Sequence, residues 1–375
     1  MNLIVDGALD NTRGAILARD AGLTVASLNN LQGQVQGDQT LTLNSSGAVL
    51  NSTGSLSAGN RLVLAAGRLD NQQGTLTSNG SLEANIAGAL SNQAGVLATA
   101  GDLSLVFGSL DNQQQGRISS KTNLLIKGGT ANNSDGGRIS SERQLTASLT
   151  ALDQRNDGRL YSLAGVSLDL NNGHLNNQVG LVNAPGSLML SNLGSVNNQG
   201  GEISSSLAFA LATATLDNRG GKLLSQQLLT LRIARTLENA SGLISAARLD
   251  ARAGSLGNAS GTLNIGNDLN LLVDGTLDNS LGEILAQDAA LTVATLDNRQ
   301  GRIQSDRALA INSSGALLNG AGRLIAGSRF TLGAGSLDNS HGALTSCWPP
   351  PGISISGWAA STTSSRAASA ARLTC

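Results

Sequence analysis

A carboxylate recurs along this chain at Asp10, Asp70, Asp111, Asp217, Asp278, Asp297 and Asp338, each time between a Leu and an Asn. Paired acids are what glycoside hydrolysis requires, one protonating the leaving oxygen and one attacking or activating water, so an aligned row of them raises a carbohydrate-active enzyme. The row is not maintained. Asn29, Ser91, Asn132, Asn176, Asn197, Glu238 and Gly257 fill the same slot elsewhere, and a position that accepts Gly is not set for acid and base roles. It reads as a solvated corner. The two histidines, His174 and His341, are far apart, each is expected in a corner, and neither has Cys, His or carboxylate neighbours at metal-ligand spacing. No serine lies in G-x-S-x-G, and neither a phosphate-cradling Gly loop nor a calcium-binding nonapeptide occurs. The expectation is therefore no catalytic residue, no metal and no cofactor.

The elements that would position these residues come from one repeated unit. Leu277-Asp278-Asn279-Ser280-Leu281-Gly282-Glu283-Ile284 returns as Leu9-Asp10-Asn11 with Gly14 and Ile16, and as Leu69-Asp70-Asn71 with Gly74 and Leu76. Further copies are Leu110-Asp111-Asn112 with Gly116 and Ile118, Leu216-Asp217-Asn218 with Gly221 and Leu223, and Leu296-Asp297-Asn298 with Gly301 and Ile303. The anchors are Asn11, Asn30, Asn51, Asn71, Asn92, Asn112, Asn133, Asn177, Asn198, Asn218, Asn239, Asn258, Asn279, Asn298, Asn319 and Asn339, with Gln154 in the slot between Asn133 and Asn177. Their spacing is 19 to 23 residues, which makes the chain a one-dimensional array.

Composition narrows the partners. A net charge of -1 with 24 Lys plus Arg scattered singly leaves no basic stripe for nucleic acid, and aromatics at 2% remove the stacking platforms that a single-strand binder or a sugar-binding groove would normally use. No apolar run reaches the roughly 18 residues of a membrane helix; the longest, Leu207 to Leu216, is broken by Thr213 and Thr215. Neither nucleic acid binding nor membrane insertion is expected. Met1 to Gly7 shows no basic region leading into an apolar segment, so no signal peptide is expected.

Within a unit, apolar and polar residues alternate over three short runs: Ile284 and Ala286, then Leu291 and Val293, then Leu296. The first complete unit repeats this with Ile16 and Ala18, Leu23 and Val25, then Leu28. Period-two alternation interrupted by Gly, Asn, Asp and Ser predicts strands and turns, three strands to a unit. Such a unit cannot bury its inner face alone, whereas stacked units hide it and bond their backbones in parallel. The prediction is an all-β parallel β-helix of about 17 turns, 20–21 residues per turn, roughly 80 Å long at about 4.8 Å per turn. The anchor Asn is expected to take a left-handed conformation and to stack as an amide ladder. The Gly after it serves positive φ or close approach. A leucine-rich repeat shares the period, but it would need a helical segment that these units do not show.

Residues 2–78 align without a gap to 270–346, for example Leu23-Thr24-Val25-Ala26 with Leu291-Thr292-Val293-Ala294. Duplication of so long a block suits a spacer. The match stops at Ser346, and Cys347, Cys375, both Trp and three of the four Pro lie beyond it. The chain thus divides into a repeat region, 1–346, and a non-repeat tail, 347–375, read as disordered or out of frame.

The L-D-N-x-x-G-x-[IL] unit resembles the haemagglutinin repeats of filamentous-haemagglutinin-like exoproteins, which include adhesins and contact-dependent growth-inhibition toxins of Gram-negative bacteria. The resemblance implies a right-handed β-helical stalk, secreted or displayed on the cell surface, with an outer-membrane two-partner-secretion transporter as partner and a host or neighbouring cell surface as target. No secretion domain or toxin domain is recognisable in the sequence. The alternatives are a repeat surface that itself binds host glycan or cells, and a β-helix carbohydrate-active enzyme. One irregularity, Leu152-Asp153-Gln154-Arg155-Asn156-Asp157-Gly158, loses the anchor; binding tends to sit where a solenoid departs from its period, and a tolerated surface insertion is the plainer reading.

Overall fold

The structure, a computed structural model, describes residues 1–347 and the backbone of strand Ile353–Ser356. Among the described residues it is all-β without a helix, a parallel β-solenoid as expected, with about 16 turns where about 17 were predicted, because the 17 anchors bound 16 intervals. Two compact units, Met1–Gly194 and Ser195–Cys375, divide the chain, and each is built from the same coil. Among the described residues no helix is long and apolar enough to cross a membrane.

One turn of the first unit shows the construction. After Asn71 comes strand Thr75–Ser78, then Ser81–Ser91. Thr75–Ser78 pairs in parallel with Ser55–Ala58 on one side and Val96–Thr99 on the other. Leu76, Leu82, Ala84, Ile86 and Leu90 point inward and are almost fully buried. In the second unit, Glu283–Ala286 lies between Thr262–Ile265 and Arg302–Ser305, with Ile284, Leu291, Val293 and Leu296 inside. Each buried Leu contributes about 1.5–3 kcal/mol of transfer free energy, and stacking repeats that gain in every turn.

The second and third predicted runs commonly join into one strand through a bulge. Asp268–Asp278 shifts register between Val273 and Thr276 where it meets Asp288–Asp297. The two runs separate in some turns, as Arg61–Ala66 and Arg68–Asp70. Small residues stack at the bend because the previous turn's carbonyl is close: a Cβ on Gly88 would lie 2.9 Å from the Gly67 oxygen.

The anchor Asn is not left-handed, contrary to expectation. That conformation falls two residues later, at Arg13, Gln32, Thr53, Gln73, Ala94 and Val179 in the first unit and at Ser241, Ser260, Leu281, Gln300, Ala321 and His341 in the second, with φ of 52 to 59°. The Asn carbonyl accepts the N–H of the Gly three residues on, as Asn92 does from Gly95 at 3.0 Å, and closing that turn requires positive φ at its third residue. The corner also belongs to the stack, since Leu281 N–H donates to the Arg299 carbonyl at 3.1 Å. The ladder holds the conformation, so side chains other than Gly are tolerated. The Gly itself is needed for space: a Cβ on Gly95 would sit 2.2 Å from the Asn71 carbonyl oxygen and 2.6 Å from Asn92 Oδ1.

His341 occupies the left-handed corner slot and is exposed. His174 is not in a corner: it lies on strand Gly165–Asn176, opposite Ala151, just after the left-handed Asn171 and Asn172. The reading of 347–375 as a tail falls almost wholly outside the described residues. Ile353–Ser356 pairs in parallel with Phe330–Asp338, Ile353 opposite Phe330.

Val179 is β-branched and left-handed, so Val179→Gly should raise the urea midpoint by the equivalent of about 0.5–1 kcal/mol, whereas Val96→Gly in a strand should lower it. Equal losses from both would show that the corner stores no strain. Gly95→Ala should cost about 3 kcal/mol or more, because the clash is with backbone that cannot yield.

Candidate functional site

The feature that organises each unit is a column of buried carboxamides. In the first unit the Nδ2 of Asn11 donates to Asn30 Oδ1 at 2.6 Å, and Asn30, Asn51, Asn71, Asn92 and Asn112 each donate to the next anchor at 2.7 Å. In the second unit the run from Asn198 through Asn218, Asn239, Asn258, Asn279, Asn298 and Asn319 to Asn339 repeats this at 2.6–2.7 Å. Each amide also donates locally, as Asn92 Nδ2 does to the Gly95 carbonyl at 3.2 Å and the Arg117 carbonyl at 3.2 Å. The side chain thereby ties its own corner to the strand of the next turn. The anchors between Asn30 and Asn319 have no exposed surface.

Gln154 fills an anchor slot and is fully buried. Its Oε1 accepts from Asn133 at 2.8 Å, but its Nε2 has no partner. One extra methylene keeps the acceptor in line and carries the donor past the carbonyls that Asn reaches. The corners after Asn112, Asn133 and Gln154 are also longer, with Gly116, Gly137 and Gly158 at the fourth position and two successive positive-φ residues in each.

A second polar column went unnoticed in the sequence. Ser78, Thr99, Ser120, Ser141 and Ser162 end successive first strands pointing inward, and all are buried. Their hydroxyls donate to corner carbonyls, Ser78 to Asn60 at 3.1 Å and Ser120 to Gly101 at 2.7 Å, and Ser141 bonds Ser162 at 3.0 Å. Ala58 and Ala184 fill the same position, so the signal was a small residue four places after the corner Gly.

The acidic slot caps the corner. The Oδ1 of Asp278, Asp297 and Asp338 accepts the N–H two residues on at 2.9, 3.0 and 2.9 Å, and Asp10, Asp70, Asp111 and Asp217 do the same. Asn29, Asn132 and Asn197 make the equivalent bond without a charge. Adjacent acids are brought together at Asp278 with Asp297 and at Asp217 with Glu238, whereas Leu50 and Leu318 interrupt the row elsewhere. Asp297 is gripped by Arg299 at 2.6 and 3.0 Å, and those hydrogen bonds hold its carboxyl below the usual range despite partial burial. For Asp217, burial pushes upward, but the bonds from Arg219 and Gln199 outweigh it and the net shift is downward. A general acid needs the opposite shift. Among the described residues no group of three or more His, Cys, Asp or Glu could hold a metal ion.

A groove of about 510 Å³ crosses the outer face of first strands in the first unit, lined by Arg117, Ser119, Lys121, Ser140 and Tyr161 among others. Sequence reading passed over it, although Gly116-Arg117-Ile118-Ser119-Ser120 returns unchanged as Gly137-Arg138-Ile139-Ser140-Ser141.

Asn92→Ala should destabilise the chain by about 3 kcal/mol, since it removes the bond from Asn71, leaves the Asn112 Oδ1 without its donor and takes away the amide bonds to the Gly95 and Arg117 carbonyls. Asp278→Asn should leave stability within about 0.5 kcal/mol, because Asn keeps the cap, and a larger loss would mean that the charge itself matters there. Asp10, Asp102, Asp217, Asp288, Asp297 and Asp338 titrate below the ordinary value of 3.8. Their contribution is complete above the unfolded-chain value and disappears as pH falls through the lower folded values. Urea midpoints should be level from about pH 7 to about pH 5 and drop below about pH 4; a midpoint that rises on acidification would contradict this.

Sequence comparison matches the haemagglutinin repeat to residues 3–53, 36–94, 77–154, 130–169 and 143–212. No curated protein and no solved structure matches the chain. The family is an adhesin-type structural one whose members are generally secreted or surface-associated. Since the matches run over more than half of the 375 residues, and the stacked L-D-N-x-x-G corners continue beyond them, this chain belongs to the haemagglutinin-repeat family.

Proposed function

We propose that the chain is a structural stalk segment of a bacterial adhesin or contact-dependent toxin, exported by two-partner secretion and displayed at the cell surface. The observation that carries this reading is where the chain places its specific interactions. Asn, Gly and capping Asp all act to stack one turn on the next, and the row of acids that could have done chemistry is committed to corners. A repeat of this kind adds length with each turn at about 4.8 Å and needs no partner to fold beyond its neighbours. Its role is to hold an adhesive or toxic module away from the membrane. An outer-membrane two-partner transporter is the partner that this route requires.

Parallel solenoids suit export as an unfolded chain, because each turn forms from local sequence and templates the next. Fused behind a two-partner secretion domain and co-expressed with the cognate transporter, the chain should reach the surface and become protease-accessible in intact cells. Retention inside, with secretion domain and transporter shown to export another passenger, would refute the export route. Excising residues 219–239, one whole repeat, should leave the β-sheet spectrum and display intact. Loss of export or folding on that deletion would argue against an interchangeable spacer.

A further inference from the structure

In a parallel stack, identical positions in successive turns face each other at about 4.8 Å, so like charges in register repel unless something neutralises them. Where arginines face each other in the second unit, an acid lies within reach. Arg302, opposite Arg323, meets Glu283 at 3.6 Å, and Arg232 and Arg252, opposite each other, meet Asp250 and, at 3.1 Å, Asp274. The first strands of three turns break the pattern. Arg117, Arg138 and Arg159 stand directly opposite one another, all exposed, and among the described residues none is within ion-pair distance of a carboxylate.

Two further observations fall on the same three turns. The corners feeding these strands, after Asn112, Asn133 and Gln154, are the lengthened ones, and each delivers its Arg immediately after the corner Gly. The groove, which Arg117 lines, lies beside the column, with Lys121 adding a cation, Ser119 adding a hydroxyl, and Tyr161, the one tyrosine of the chain, at its end. Glu142 is the carboxylate in its lining, and Asp135 and Asp157 lie on the corners.

We infer that this face binds a linear acidic polysaccharide bearing one carboxylate per sugar. Arg presents a planar fork that takes a carboxylate through two parallel bonds, and one Arg per turn supplies a ladder of such forks for a polymer with a regular charge repeat. The half-buried Ser119 hydroxyl suits a sugar hydroxyl, and the Tyr161 ring, also half-buried, offers an apolar face to a pyranose. A densely sulfated chain fits less well, because Glu142, Asp135 and Asp157 keep the surroundings from being strongly cationic. The site is independent of whether the chain serves as a stalk.

The test is binding of the full chain to polygalacturonate, heparin and neutral dextran by affinity electrophoresis and calorimetry at low and at 0.5 M salt. Polygalacturonate should bind at low salt and weaken as salt rises, and dextran should not bind. Replacing Arg117, Arg138 and Arg159 together by Gln should weaken binding about tenfold or more, while the Lys triple variant should fall between. Tyr161→Ala should weaken it about threefold or more. Arg219→Gln with Arg299→Gln, which removes arginines already committed to Asp217 and Asp297, should leave binding unchanged. The arginines are exposed and Tyr161 is half-buried, and an unchanged β-sheet spectrum shows that each variant is folded. No polygalacturonate binding, binding unaffected by the triple Gln variant, or equal binding of dextran would overturn the proposal. Preference for heparin over polygalacturonate would overturn the carboxylate assignment.

Discussion

A carboxamide removed from water without partners costs on the order of 1–3 kcal/mol for each unmatched group, so a buried column of asparagines is tolerable only when every amide meets the next. That condition dictates much else in this protein. The amide of Asn92 reaches Asn112 at 2.7 Å only if the two turns are in register and equally long around that corner. It also requires the following Gly, since any Cβ at Gly95 would displace either the amide oxygen or the neighbouring carbonyl. The Asp before the anchor secures the corner from outside by accepting a backbone N–H two residues on. Leu, Asp, Asn and Gly in the repeat are therefore four parts of one device: core, outer cap, inner ladder and clearance.

Departures from the repeat show how much slack the device has. Gln154 keeps the acceptor half of the ladder and leaves its donor unmatched, a local cost that the many satisfied turns around it absorb. The left-handed corner slot takes Arg, Gln, Ala, Leu and even Val, because the parallel backbone bonds on both sides hold its conformation. The outer face, by contrast, is unconstrained by packing. There charge is what matters, and the column at Arg117, Arg138 and Arg159 stands out because three arginines face one another with no acid at ion-pair distance, whereas Arg232 and Arg252, also face to face, reach Asp250 and Asp274.

The same geometry gives the row of carboxylates a structural role. Neighbouring acids do meet, at Asp278 and Asp297. Yet Asp297 is bound by Arg299 and held ionised, and the acid row is interrupted by Leu50 and Leu318. Repetition aligned these groups; the corner's need for a cap is sufficient reason for their presence.

The sequence by itself determined the solenoid, because a period near 20 residues with alternating Leu and polar positions has no other way to bury its inner faces, and it marked Asn and Gly as the residues on which stacking depends. Which atom did what was decided only by tertiary structure. The left-handed residue lies two places after the Asn, not at it, because the position that must turn is set by the hydrogen bond from Gly back to Asn. The inward hydroxyl column of Ser78 to Ser162 and the outward arginine column could not be read from neighbours in the chain. Residues 21 apart become neighbours only once the coil closes, and Gly-Arg-Ile-Ser-Ser, unremarkable as a pentapeptide, becomes a face when stacked on its own copy.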